Sequence, residues 1–175
     1  MRRPAPLLIA LAAIHAATPA KAVQDGPATV VLLVRHAEKA AEPAADPALT
    51  PAGEARAAAL ADRLRDSPIQ RVITTQFVRT RLTAAPTAAR FGLEPVVVRA
   101  SADVATHARE VADVIRARPG MATLVVGHSN TLPAIIEALG APLPAPIGDD
   151  DYGDLFVVIL EAGRTPIVVR ARYGQ

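Results

Sequence analysis

Two histidines and two arginines carry most of the chemistry this sequence can do. Arg35 and His36 follow the aliphatic run TVVLLV, Arg79 stands in TTQFVRTRLTAAPTA, and His128 stands in VGHSNT. A metal centre wants histidines spaced with carboxylates or thiolates, and two permanent cations close by oppose it. No metal and no cofactor is therefore expected. Two guanidiniums suit a dianionic phosphate instead, held by bidentate charge-assisted hydrogen bonds. A neutral imidazole beside that phosphate can attack phosphorus in line, and a second, protonated imidazole can hold the equatorial oxygens as charge shifts in the transition state. Gly127 and a helix opening near Asn130 add backbone N–H donors. The constellation implies phosphoryl transfer.

These side chains need elements to bring them together. TVVLLV (residues 29–34) is apolar on both faces, as in a strand buried within a sheet. Thr50 followed by Pro51 reads as an N-cap and first helical residue, opening a helix to about Arg65 with Ala57, Leu60, Ala61 and Leu64 on one stripe. RVITT is a second strand, followed by a helix that Pro86 kinks and Gly92 ends; EPVVVRA is a third. Val104 to Arg118 reads as an amphipathic helix with Val111, Val114 and Ile115 inward, and His107 on it reads as a surface residue. ATLVVGHS is a fourth strand and NTLPAIIEALG a helix closed by Gly140. DLFVVIL and PIVVRARY flank a turn containing Gly163 and form a hairpin.

This alternation predicts a three-layer α/β sandwich: a mostly parallel central sheet, helices on both faces and an antiparallel terminal edge strand. Ligands in such folds bind outside the carboxyl ends of the strands. Arg35 and His36, Thr74 and Thr75 leading to Arg79, and His128 with Ser129 and Asn130 all fall at those ends.

The chain has 175 residues, 51% of them hydrophobic but only 3% aromatic, so its core must be built from Val, Leu, Ile and Ala. Residues 1–22 read as a secretory signal peptide, with MRR as the positive start, LLIALAAIHAA as a short apolar run and AKA as the cleavage site. One domain, residues 23–175, is left, and a periplasmic or secreted location is implied. The apolar run falls short of the roughly 20 residues a membrane span needs. Cleavage removes Arg2, Arg3 and Lys21, so the formal net charge of +2 becomes −1. The basicity that would invite a nucleic-acid reading thus belongs to the leader. The sequence has no cysteine, which excludes disulfides, a thiol nucleophile and a thiolate metal site.

RHAEK, TTQFVRTRLTAAPTA and VGHSNT, in this order, resemble the histidine phosphatase superfamily, in its phosphoglycerate mutase-like and phosphohistidine phosphatase-like branch. The resemblance implies that His36 is the nucleophile that becomes phosphohistidine, that Arg35 and Arg79 clamp the phosphate and that His128 is the second phosphate-binding histidine. Ala37 stands where the family usually has glycine. Lys39 stands where some acid phosphatases carry another phosphate-binding arginine; it is either an extra cation or a solvated loop residue. The family takes the leaving group's proton from a carboxylic acid, and Asp103, then Glu38, are the candidates here.

The resemblance implies a phosphatase that hydrolyses a phosphomonoester or phosphoamidate. The alternatives are a catalytically weak phosphate-binding scaffold or a phosphoglycerate mutase-like phosphotransferase. The short loops favour hydrolysis at an open site. The partner is a phosphorylated small molecule or an exposed phosphorylated group, with no nucleic acid; oligomeric state is not legible. The acidic run DDDYGD, from Asp149 to Asp154, is either a solvated turn or a source, through Asp150 or Tyr152, of substrate selection or of the acid.

Overall fold

In the computed structural model, which describes residues 26–174, the strand expected first runs Thr29–Arg35 (β1). Its side chains alternate between two apolar layers. Val31 and Leu33 join one buried cluster, and Leu32 and Val34 join another on the opposite face. A strand apolar on both sides is stable only between two layers of helix, and the rest of the chain supplies them. The signal-peptide reading of residues 1–22 lies outside the described residues.

The remaining elements are α1 (Pro51–Arg63), β2 (Ile69–Thr74), α2 (Val78–Phe91), β3 (Val96–Val97), α3 (Val104–Arg116), β4 (Ala122–Gly127), α4 (Thr131–Ala138), β5 (Asp154–Leu160) and β6 (Ile167–Arg172). The sheet order is β3-β2-β4-β1-β5-β6. The first four strands in this order are parallel. β5 pairs antiparallel with both β1 and β6, so β5 alone opposes the others. Leu60 and Leu64, with Ala84 and Ala88, bring α1 and α2 onto one face; Val111, Ile115, Ile135 and Ile136 bring α3 and α4 onto the other. Leu60, Ile115, Ile135 and Ile136 are completely buried, and each contributes about 1.5–3 kcal/mol by leaving water.

Local chemistry sets the boundaries. Thr50 Oγ1 accepts the Gly53 N–H at 3.1 Å and Pro51 opens α1, as expected. Gly53 lets the helix approach the loop before it, since a Cβ there would lie 2.2 Å from the Glu38 carbonyl oxygen. Gly92 ends α2 in the left-handed region at φ 63°. The expected helix over 104–118 stops at Arg116, and the third strand shrinks to two exposed valines. α2 continues through Pro86 without interruption.

His107 is a clear correction. It is 1% exposed, not a surface residue, and its Nδ1 lies 3.2 Å from the Arg99 carbonyl oxygen. It shares the inward stripe of α3 with Val111 and Ile115, at four-residue intervals.

Candidate active site

Strand register builds the centre of the site. β1 and β4 are parallel neighbours with Arg35 opposite Gly127. The next residues, His36 and His128, therefore emerge side by side, and the His36 N–H donates to the Gly127 carbonyl at 2.9 Å. The chain leaves β1 toward α1 on one face and leaves β4 toward α4 on the other, which opens a crevice between two adjacent strands. The two imidazoles stand edge to face with ring centroids 5.4 Å apart.

His36 is 4% exposed. Its Nδ1 lies 2.8 Å from the Ala37 carbonyl oxygen, and only the protonated nitrogen can donate to a carbonyl. The proton thus sits on Nδ1 and the lone pair on Nε2. Burial lowers the pKa of His36 to about 4; the Ala37 bond opposes this, and the charges of Arg79, Arg35 and Lys39 add to it. His128 Nε2 is 3.1 Å from Thr75 Oγ1. Burial lowers its pKa to about 3, helped by His36, Arg79, His107 and Arg35. Both rings are neutral at neutral pH.

Arg79 enters from the first turn of α2. Its guanidinium carbon sits 4.2 Å from the Phe77 ring centroid, and Phe77 in turn meets His128 edge to face. Burial lowers the Arg79 pKa while Asp46, at 3.7 Å, raises it. Arg35 has two tasks. Its Nη1 donates to the carbonyls of Gly148 at 2.8 Å and Asp149 at 2.7 Å, and its guanidinium stacks on Tyr152 at 4.2 Å. The Nε atoms of both Arg35 and Arg79 are buried and have no partner among the described residues. Unmet guanidinium donors beside two neutral imidazoles fit an anion with several acceptor oxygens.

A cavity of about 450 Å³ is lined by His36, Phe77, Arg79, His128 and the chain at residues 100–102 and 129–131, while Arg35 lies behind that lining. No carboxylate lines it among the described residues. Asp103 lies just beyond that lining and caps α3: its Oδ1 accepts the Thr106 N–H at 3.1 Å and its Oδ2 the Thr106 hydroxyl at 2.7 Å, holding its carboxyl below the usual range. Glu38 accepts from Arg56 Nε and Nη2 at 2.8–2.9 Å. Asp103 thus serves as a helix cap and Glu38 as an ion-pair partner, and neither lines the cavity. Lys39 is exposed and bridges Leu49 through its backbone.

Ala37 is fully buried against Leu49 and Ala57, and its N–H donates to Thr83 Oγ1 at 2.9 Å. The methyl group in the glycine position is thereby absorbed by apolar packing. Sequence reasoning missed Asp46, which accepts the Val78 N–H at 2.9 Å and pairs with Arg79. Nothing in the Pro-punctuated loop around it signals that contact.

Fold and pocket together define an α/β domain with two neighbouring imidazoles and a guanidinium lining a cavity at the carboxyl edge of its sheet. Residues 31–102, which hold Arg35, His36 and Arg79, match the model of the histidine phosphatase superfamily (branch 1), and this bears out the resemblance drawn from the sequence. Solved structures share the fold. A mycobacterial glucosyl-3-phosphoglycerate phosphatase is 17% identical over 75% of this chain and 90% of its own, with a TM-score of 0.62. The protein histidine phosphatase SixA, solved with tungstate, is 18% identical over 82% and 96%, with a TM-score of 0.62. A phosphoserine phosphatase from Entamoeba histolytica is 14% identical over 84% and 97%, with a TM-score of 0.64. No curated protein matches the chain in sequence.

Proposed function

We propose that the protein is a phosphatase that hydrolyses a phosphomonoester or phosphoamidate through a phosphohistidine on His36. The observation that carries this reading is the neutral His36 ring, with Nδ1 tied to the Ala37 carbonyl and Nε2 free, set among His128 and two guanidiniums with unmet donors. In the first step Nε2 forms a bond to phosphorus as the bond to the leaving oxygen or nitrogen breaks. Arg35 and Arg79 balance the charge on the transferring group, and His128 faces it from the neighbouring strand. Water then attacks the phosphohistidine, the P–N bond breaks, and inorganic phosphate leaves with His36 restored. Because no carboxylate lines the cavity among the described residues, the leaving group takes its proton from solvent. Weakly basic leaving groups, such as an aryl oxide, react fastest.

The related structures named for phosphatase activity support this chemistry at the level of the class, and the compact domain favours hydrolysis over retention of phosphate for isomerisation. The leader sequence supports export and cleavage after Ala22, followed by action in the periplasm or outside the cell. Hydrolysis of phenyl phosphate tests the proposal. The purified protein is expected to turn it over at least about 10³ times faster than His36→Ala and to yield an acid-labile phosphoenzyme on quenching. Equal rates in the two proteins, with no phosphoenzyme, would sink the reading. The mass of the exported protein, expected to begin at Val23, tests the processing.

A further inference from the structure

Beside the cavity over His36 lies a second depression lined by no charged group. This groove, about 340 Å³, is lined by Ser129, Asn130, Pro133, Leu143, Pro144, Pro146 and Ile147. Ser129 and Asn130 line both spaces, so the two depressions adjoin at the chain that follows His128. Its floor is Ile147, which is 7% exposed and part of the core, and its rim is Leu143, a leucine 61% exposed. The segment supplying them, APLPAPI, places Pro142, Pro144 and Pro146 between the apolar residues. Each proline fixes its own φ and lacks an N–H, so the rim is held in shape without regular hydrogen bonding.

A large leucine left in water beside an anion pocket has a reason to be there if a ligand covers it. We infer that this groove is the leaving-group subsite and that it takes an apolar aryl or alkyl group borne on the phosphate. The inference rests on the phosphatase reading for its catalytic meaning. A sugar or other polyhydroxylated group would leave its hydroxyls against proline and leucine carbon, with only Ser129 and Asn130 to hydrogen-bond them. An apolar group instead gains by leaving water, while the phosphate supplies the charge that Arg35 and Arg79 require.

A series of para-alkylphenyl phosphates, from methyl to butyl, tests this. The alkyl chain lengthens while the basicity of the leaving phenol stays nearly constant, which separates groove contact from leaving-group chemistry. kcat/KM is expected to rise up to about fourfold for each methylene that the groove buries. Leu143→Asp, at a position 61% exposed in the free protein, is expected to flatten the series. A flat series in the unmodified protein, or an equal slope in Leu143→Asp, overturns the subsite. If the unmodified protein turns over no member of the series faster than His36→Ala, the phosphatase reading fails on its own. Calorimetric binding of para-alkylphenyl phosphonates to the full chain then decides the groove: affinity that strengthens with alkyl length only when Leu143 is present supports it, and length-independent affinity overturns it.

Discussion

Burying an imidazole changes both its chemistry and the pH at which the protein holds together. An unfolded histidine titrates near 6.5, whereas His36 is lowered to about 4 and His128 to about 3 in the folded chain. Between those values the unfolded chain binds more protons than the folded one, so the stability linked to each ring is complete above 6.5 and is lost as pH falls through the folded value. For His36 alone the loss between pH 7 and pH 5 is on the order of 2 kcal/mol. Urea denaturation at the two pH values is expected to show a falling midpoint, and His36→Gln is expected to fall less. Equal drops in the two proteins would contradict the assignment. The same residue scale shows what was legible. Arg35, His36 and His128 stand out in the sequence because strand ends are where such folds bind ligands, and Arg79 follows from the motif around it. The acid was not legible: a carboxylate's role depends on its nearest cation, and Arg56, the partner of Glu38, is 18 residues away in sequence. The polarity of His107 suggests exposure, but its four-residue spacing from Val111 and Ile115 places it on the buried stripe of α3.

At the scale of elements, signals written within a few residues were reliable and signals crossing the fold were not. Thr50 with Pro51 and Gly92 mark the ends of α1 and α2 because capping is local. The third strand came out shorter than PVVV suggests, since β3 is an edge with one neighbour and ends after two residues. α2 starts without a cap from its own N-cap residue, Phe77. Asp46, brought over from the loop before α1, takes the Val78 N–H and also faces Arg79. The same carboxylate therefore starts the helix and aims its first cation. Asp46→Ala is expected to lower stability by about 1 kcal/mol, the usual cost of a lost cap, and Asp46→Asn, which keeps an acceptor for Val78, to recover most of it. Urea midpoints of the three proteins check this. If the asparagine variant is as unstable as the alanine variant, the cap is not what Asp46 contributes.

At the scale of the whole molecule, the sequence shows which elements exist but not how they interleave. β4 inserts between β2 and β1, and that insertion sets His128 beside His36 although the two are 92 positions apart in the chain. The hairpin that closes the sheet also reaches back to the site. Asp154, at the start of β5 and 1% exposed, accepts from Arg170 Nε at 3.0 Å and Nη2 at 2.5 Å, and Arg172 lies 3.5 Å from it. Arg172 also approaches Asp151 at 3.6 Å, within the loop whose carbonyls Arg35 holds. Through Arg172, the buried carboxylate of Asp154 is thus linked to the loop that Arg35 holds. Removing one partner of a buried charge costs more than the intact pair contributes, because the remaining charge stays desolvated. Arg170→Met is expected to destabilise the protein by about 2 kcal/mol, discounted from the fully buried case because Arg170 is 38% exposed and Arg172 remains within reach. The control is Arg164→Met, which breaks an exposed pair with Glu161 and should shift stability by less than about 0.5 kcal/mol. Denaturant midpoints compared side by side separate the two. Equal losses would mean that Asp154 finds enough compensation from Arg172 and that Arg170 is only a surface partner.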